Sequence, residues 1–203
     1  MTSAEIIALL VLCTAASFTP GPNTTLSAAL GANLGLWRAL RFVVSVPVGW
    51  GLLFSLCAAG IGTLVMAAPA LRIGVQVLGV GYLLWLAAKL FKTDTLTQAA
   101  AGRLNVTFWQ GVMLQFLNIK AWMLALTVVA GWLAGREDIA SRFAVVLPIL
   151  LLFGLTSNLT YALMGTLLGS WLADSKHGGR RLRWFNRSMA TVLVATAAWM
   201  ATF

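Results

Sequence analysis

The stretch Ser17-Phe18-Thr19-Pro20-Gly21-Pro22-Asn23 interrupts an apolar run that otherwise has the character of a membrane-spanning helix. Proline lacks a backbone donor and clashes with the preceding helical turn, so two prolines around a glycine predict a break in the helix. Non-helical backbone is tolerated at membrane depth only where protein or a water-filled cavity receives its polar groups. The break therefore predicts a polar site inside the bilayer.

A second interruption, Leu117-Asn118-Ile119-Lys120, lies at the corresponding point of the second half of the chain. Two broken spans in matching positions are the best pointer from sequence to the binding site of a secondary transporter. We therefore expect the two breaks to meet and to leave main-chain polar groups for a small charged substrate.

The composition predicts one integral membrane domain that is entirely α-helical. The chain is 60% hydrophobic and 9% charged, whereas soluble domains carry about 25% charged residues. Several apolar runs reach the roughly 20 residues that a helix needs to cross a bilayer. The net charge of +9 comes mainly from three short connections between these runs, which argues against a nucleic-acid surface.

Six spans are predicted, and the polar stretch 92–107 divides them into two halves of three. The halves are pseudo-repeats at about 1–91 and 108–203. An odd number of spans in each half makes the two halves enter the membrane from opposite sides, which is an inverted repeat. The predicted spans are 4–30, 42–67, 71–91, 108–134, 143–172 and 186–203, of which the first and fourth are broken.

The lysines and arginines predict the orientation. Ten of the 14 lie in the predicted connections one–two, three–four and five–six or at the span ends next to them, and three lie on the opposite side. Such an excess marks the cytoplasmic side of a membrane protein. Both termini are then expected to face outward, into the periplasm if the membrane is a bacterial inner membrane.

The first break contributes Pro20, Gly21, Pro22 and Asn23 to the candidate site. A single proline would be explained by a simple kink, but two prolines and a following amide go beyond that explanation. The helix that resumes at Asn23 would point the positive end of its dipole into the bundle, where it suits a carboxylate.

The second break contributes Gln115, Asn118 and Lys120. Gln115 and Asn118 are three residues apart, so they share a helix face. Lys120 is the only basic residue well inside an apolar run, which predicts a functional or gating role. The alternative is that its flexible stem carries the ammonium to the membrane interface. Since no acidic residue of the spans is available to pair with it, a substrate carboxylate is its expected transient partner.

The fifth span contributes Asn158 and Tyr161, one helical turn apart. The pattern leaves open whether they line the cavity or only join helices by hydrogen bonds. No cluster of cysteines and histidines indicates a metal, and no phosphate-binding loop indicates ATP, so no cofactor is expected. No base lies near a nucleophile, which argues against an enzyme.

These motifs resemble those of the LysE/RhtB family of amino-acid exporters over essentially the whole chain. The matching stretches are 17–23 in the first span, 81–86 in the third, 118–120 in the fourth, where the family has Asn-Pro-Lys, and 182–187 before the last. Within the family, 114–120 looks most like the subgroup that exports cysteine and O-acetylserine. The resemblance implies secondary, proton-linked export of a small amino acid across the inner membrane.

Two positions depart from the family pattern. Ile119 stands where proline is usual, so the second break is expected to be milder than the first. Asn158 stands where many relatives carry an acidic residue, which argues against a carboxylate proton relay. A non-transporting scaffold and a passive channel are the alternative functions. The sequence leaves open whether the chain associates with copies of itself, and membrane lipid is its expected surroundings.

Overall fold

The computed structural model describes residues 1–93, 106–172 and 179–202, and every regular element in these ranges is a helix. The predicted all-helical class is confirmed for the described residues, and several of the helices are apolar enough for a membrane protein. The helices are α1 Ser3–Phe18, α2 Pro22–Leu34, α3 Leu36–Ala58, α4 Ile61–Ala67, α5 Pro69–Phe91, α6 Phe108–Leu117, α7 Ile119–Val128 with a π-helical turn Val129–Leu133, α8 Ile139–Leu172 and α9 Arg180–Met200.

Three of these helices, α3, α5 and α8, are long and apolar enough to cross a membrane alone. Two bent pairs qualify when each is taken as one span: α1 with α2, and α6 with α7 and its π-helical turn. Within the described residues this makes up to five spans by length and composition. The sixth predicted span corresponds to α9, which is not among them. Its first turns carry Arg180, Arg181, Arg183 and Arg187.

Both predicted helix breaks are present, but the expectation that the second would be milder was wrong. The chain bends by 52° at the first break and by 69° at the second. Asn118 has an extended backbone, with φ −98° and ψ 101°, and its side chain accepts a hydrogen bond from the Lys120 amide at 3.2 Å. The second break is therefore made by Asn118, which caps the new helix, although Ile119 stands where the family has a proline.

The second predicted span differs most from the structure. Its helix α3 begins at Leu36, so Arg38 and Arg41 lie in its first two turns and not in a loop. The preceding helix ends because Gly35 has φ +78°, and α3 is separated from α4 by Gly60 with φ +85°. Glycine adopts such positive φ values without the cost that a side chain imposes. These two glycines set helix ends that hydropathy alone does not reveal.

Close backbone contact joins α2 to α8 over a long stretch. A Cβ atom at Gly31 would overlap the Ala162 carbonyl, and one at Gly165 would overlap the Ala28 carbonyl. Small residues of this kind let membrane helices approach closely. The spacing Gly31-x-x-x-Gly35 suggests the same role for both glycines, but Gly35 has no atom within 4 Å of its Cβ position and ends the helix instead.

Two apolar clusters lie on either side of the breaks. The first contains Leu9 of α1 and Ala125 of α7, and the second contains Leu26 of α2 and Leu114 of α6. Apart from Ile119 at the start of α7, which belongs to the second cluster, the buried residues of the two halves of each broken span therefore belong to different clusters. This arrangement holds the polar breaks between two apolar layers of the bundle.

Ion pairs fix the start of α1 against the start of α8. Arg142 is only 8% exposed, and its guanidinium contacts Asp138 at 2.6 Å and Glu5 at 3.1 Å. The Trp132 indole donates to the Glu5 carbonyl at 2.9 Å. The hydrogen bond from Arg142 holds the pKa of the Asp138 carboxyl below its ordinary value. These contacts anchor the helix that leads into the first break.

The close packing of α5 against the second break can be tested by a substitution at Gly79. A Cβ atom at Gly79 would overlap the carbonyl of Leu117, the last residue before the break, whereas Gly81 has open space around its Cβ position. We expect Gly79→Ala to destabilise the protein by about 1–3 kcal/mol, the usual cost of overpacking. Gly81→Ala, two residues away on the same helix, should have little effect.

The measurement is the midpoint of thermal unfolding of both variants in the same detergent. Equal midpoints for the two variants would contradict the close approach of α5 to the break.

Candidate functional site

A cavity lies where the two breaks meet, and its walls come from α1, α2, α3, α7 and α8. Its empty volume is about 710 Å3, which includes the space at its open mouth. The breaks contribute Thr19, Gly21, Pro22, Asn23, Thr24, Asn118 and Lys120 to the wall. The polar part of the wall is completed by Ser17, Cys13, Trp50, Ser157 and Asn158.

Six of the nine predicted site residues line this cavity, namely Gly21, Pro22, Asn23, Asn118, Lys120 and Asn158. The other three are not among the lining residues. Pro20 is exposed, Gln115 is fully buried behind Asn23, and Tyr161 contacts the end of α1. All three lie at or next to a break, and the last two support it from outside the cavity.

Each break frees a main-chain carbonyl, and an aromatic side chain binds it. Pro22 has no amide hydrogen, and the Phe18 carbonyl four residues earlier accepts a hydrogen bond from the Tyr161 hydroxyl at 2.9 Å. At the second break the Lys120 amide donates to the Asn118 side chain, and the Phe116 carbonyl accepts from the Trp122 indole at 2.8 Å. Such partners are what non-helical backbone inside a membrane requires.

A reciprocal amide pair joins the two broken spans. Asn23 Nδ2 donates to Gln115 Oε1 at 2.8 Å, and Gln115 Nε2 donates to Asn23 Oδ1 at 3.1 Å. Gln115 Nε2 also donates to the Gly111 carbonyl at 3.1 Å. Because Gln115 is completely buried, this pair fixes the orientation of the Asn23 side chain at the cavity wall.

Asn158 both lines the cavity and joins helices. Ser27 Oγ donates to Asn158 Oδ1 at 2.8 Å, and Asn158 Nδ2 donates to the Gly154 carbonyl at 2.8 Å. Ser27 is fully buried and was not predicted from the sequence. Its position four residues after Asn23, and so on the same helix face, is the signal that could have identified it.

The cavity carries a positive charge without a countercharge among the described residues. The Lys120 side chain is half-buried, and a Cβ atom at Gly21 would lie 3.6 Å from its Nζ. The lysine at the second break therefore reaches the first break. The described acidic residues, Glu5, Glu137 and Asp138, are not among the lining residues. The first turns of α2 and α7 also meet at the cavity, and helix N-termini carry partial positive charge.

These features suit a small anionic group such as a carboxylate. Within the described ranges, no group of three or more histidines, cysteines or acidic residues is arranged to hold a metal ion.

The Asn23–Gln115 pair predicts a measurable coupling between the two broken spans. We expect Asn23→Ala and Gln115→Ala to be non-additive, with a coupling energy of about 0.5–2 kcal/mol, the range found for side-chain hydrogen bonds inside membranes. The free energy of unfolding of the single and double variants in detergent measures it. Gln110→Ala is the control, because this glutamine lies on the same helix and caps its start through Thr107.

Gln110→Ala should combine additively with Asn23→Ala. Additivity of the Asn23 and Gln115 substitutions as well would contradict the reciprocal pair.

Comparison with known proteins identifies the family. The sequence profile described as LysE type translocator matches residues 14–202. A cysteine/O-acetylserine efflux protein of Klebsiella pneumoniae is 29% identical over 197 residues, which is 97% of each chain. Proteins of the same name are 28% identical in Salmonella typhimurium, over 89% of each chain, and 26% identical in Escherichia coli K12, over 74% of this chain and 77% of the relative.

No solved structure matches the chain significantly. The profile match includes both breaks and, apart from Leu12 and Cys13, every residue that lines the cavity. The chain therefore belongs to the LysE type translocator family, and it is a translocator, not an enzyme.

Proposed function

We propose that the protein exports small amino acids or close derivatives across the inner membrane as a secondary transporter. The observation that carries this proposal is the cavity between the two breaks, in a chain of the translocator family. In this cavity the Lys120 ammonium lies beside Gly21 and meets no acidic residue of the described ranges. The names of the relatives favour cysteine and O-acetylserine as substrates over other neutral or basic amino acids.

The cavity would recognise the two charges of a zwitterion separately. The substrate carboxylate would meet Lys120 and the first-turn amides of α2. Its ammonium would meet main-chain carbonyls at the breaks and the hydroxyls of Ser17 and Ser157, since no carboxylate lines the cavity among the described residues. The short side chain would lie against apolar wall residues, which include Leu124 and Leu150.

A single domain of six spans in two inverted repeats fits this function. In this arrangement α3 and α8 are counterparts, and so are α5 and α9. Counterpart helices that lie near the two-fold axis of such a repeat can pack against each other, and both of these pairs are in extensive contact. Alternating access would then rock one half against the other around the breaks.

The cavity extends from the breaks toward the end of the bundle that holds the start of α1. Its wall includes Leu12 of α1 and Val128 of α7, whereas α2 and α8 are closely packed at Gly31 and Gly165 beyond the breaks. With both termini in the periplasm, as the basic residues favour, this state would be closed toward the cytoplasm. Only the resemblance to the family supports coupling of export to protons. The proposed site does not depend on whether the protein associates with further copies of itself.

Lys120 is the residue through which the proposal can be tested. We expect Lys120→Gln to lower exchange of a transported amino acid by about 10- to 100-fold at subsaturating concentration, because a hydrogen bond to a charged group contributes about 1.5–3 kcal/mol. The measurement is counterflow of labelled cysteine, O-acetylserine, threonine, leucine and lysine in proteoliposomes. Lys89→Gln is the control, since that ammonium lies 3.8 Å from the Trp85 ring, outside the cavity.

Wild-type exchange that is unchanged in Lys120→Gln would contradict the proposed site. Uptake without acceleration by internal substrate would indicate a channel, and no flux of any tested amino acid would favour a scaffold.

A further inference from the structure

A second groove runs along the surface of the bundle between α5 and α9, away from the cavity at the breaks. Its floor is made of the small buried residues Ala87 and Ala190. Its walls are Leu84, Phe91 and Val194, whose side chains are 44–51% exposed. A groove with an apolar floor and apolar walls on a membrane-spanning helix faces the hydrocarbon chains of lipids.

Two cations lie at one end of this groove. Lys92 follows the last residue of α5, is exposed and lines the groove. The Arg187 guanidinium lies 5.0 Å from the Phe91 ring, so it stands at the groove wall. Neither side chain makes an ion pair within the described part of the chain. Asp94 is close to Lys92 in sequence but lies outside the described residues.

The groove therefore combines a channel for an acyl chain with a site for a negative group. A neutral lipid would cover the apolar floor but leave both cations without a countercharge. A soluble anion would contact the cations but would leave the apolar floor and walls of the groove uncovered. Basic pockets between membrane helices on the positively charged side are a known setting for anionic head groups.

We propose that this groove binds an anionic phospholipid. Its phosphate contacts Lys92 and Arg187, and one acyl chain lies along Leu84, Ala87 and Val194. The groove shares no residue with the cavity at the breaks. The lipid proposal therefore does not depend on which amino acid the protein transports.

Native mass spectrometry of the purified full chain tests this proposal. Delipidated protein is titrated with phosphatidylglycerol or with phosphatidylcholine of the same acyl chains, and inorganic phosphate is a third arm. We expect one phosphatidylglycerol to bind in preference to phosphatidylcholine, and no retained phosphate. Lys92→Gln/Arg187→Gln should reduce this preference by roughly 20- to 30-fold, because each basic side chain near the surface contributes about a factor of five.

The matched control is Arg38→Gln/Arg41→Gln, which removes the same charge from exposed positions of α3 outside the groove. It should keep the preference. Ala88→Phe fills the groove without changing charge and should also weaken phosphatidylglycerol binding. This variant distinguishes binding of the whole lipid, with its acyl chain in the groove, from binding of the headgroup alone. If the double variant does not fold, Lys92→Gln alone should still lower the preference by about fivefold.

Equal binding of the two lipids to the wild-type protein would overturn the proposal. The same holds if the double variant and its control lose the preference equally, or if Ala88→Phe binds phosphatidylglycerol as the wild type does.

Discussion

The structure depends on one constraint: a main-chain polar group inside a membrane must find a partner in the protein, because the hydrocarbon offers none. The two helix breaks free the carbonyls of Phe18 and Phe116, and Tyr161 and Trp122 bind them. The donors come from different places, one from the long helix α8 and one from the helix that follows the break. The first break is thus stable only beside α8, whereas the second obtains its donor within its own span, and the Asn23–Gln115 pair joins the two broken spans.

The same constraint separates groups that hold the site from groups that are left for a ligand. The amides of Gln115 and Asn158 are engaged by other helices or by their own turn, so they fix the geometry of the wall. Lys120 is different, because its ammonium reaches Gly21 without meeting an acidic residue of the described chain. An ionisable group held in this way inside a membrane protein is a functional group by default. The cavity therefore has a rigid frame and one unbalanced charge.

The sequence predicted the helical membrane class and both breaks, because proline, glycine and asparagine act locally and leave a clear pattern. It misjudged the severity of the second break, since the capping of α7 by Asn118 depends on a side-chain geometry that composition does not show. It placed the start of the second span six residues late, because Gly35 ends one helix and Leu36 begins the next without a polar loop. Ser27 shares a helix face with Asn23, but its hydrogen bond to Asn158 could not be predicted, because only the packing of α2 on α8 brings these two residues together.

The most direct test of this account is the distance between the substrate carboxylate and the Lys120 ammonium in the membrane-embedded protein. Solid-state NMR can measure it with a 13C-carboxyl-labelled amino acid that the protein transports and 15Nζ-labelled lysine, using Lys120→Gln to assign the signal. The account predicts a carbon–nitrogen distance of about 4 Å or less, as in a charge-assisted hydrogen bond, and its loss in the variant. A bound carboxylate that shows no dipolar contact with Lys120 would contradict the central claim.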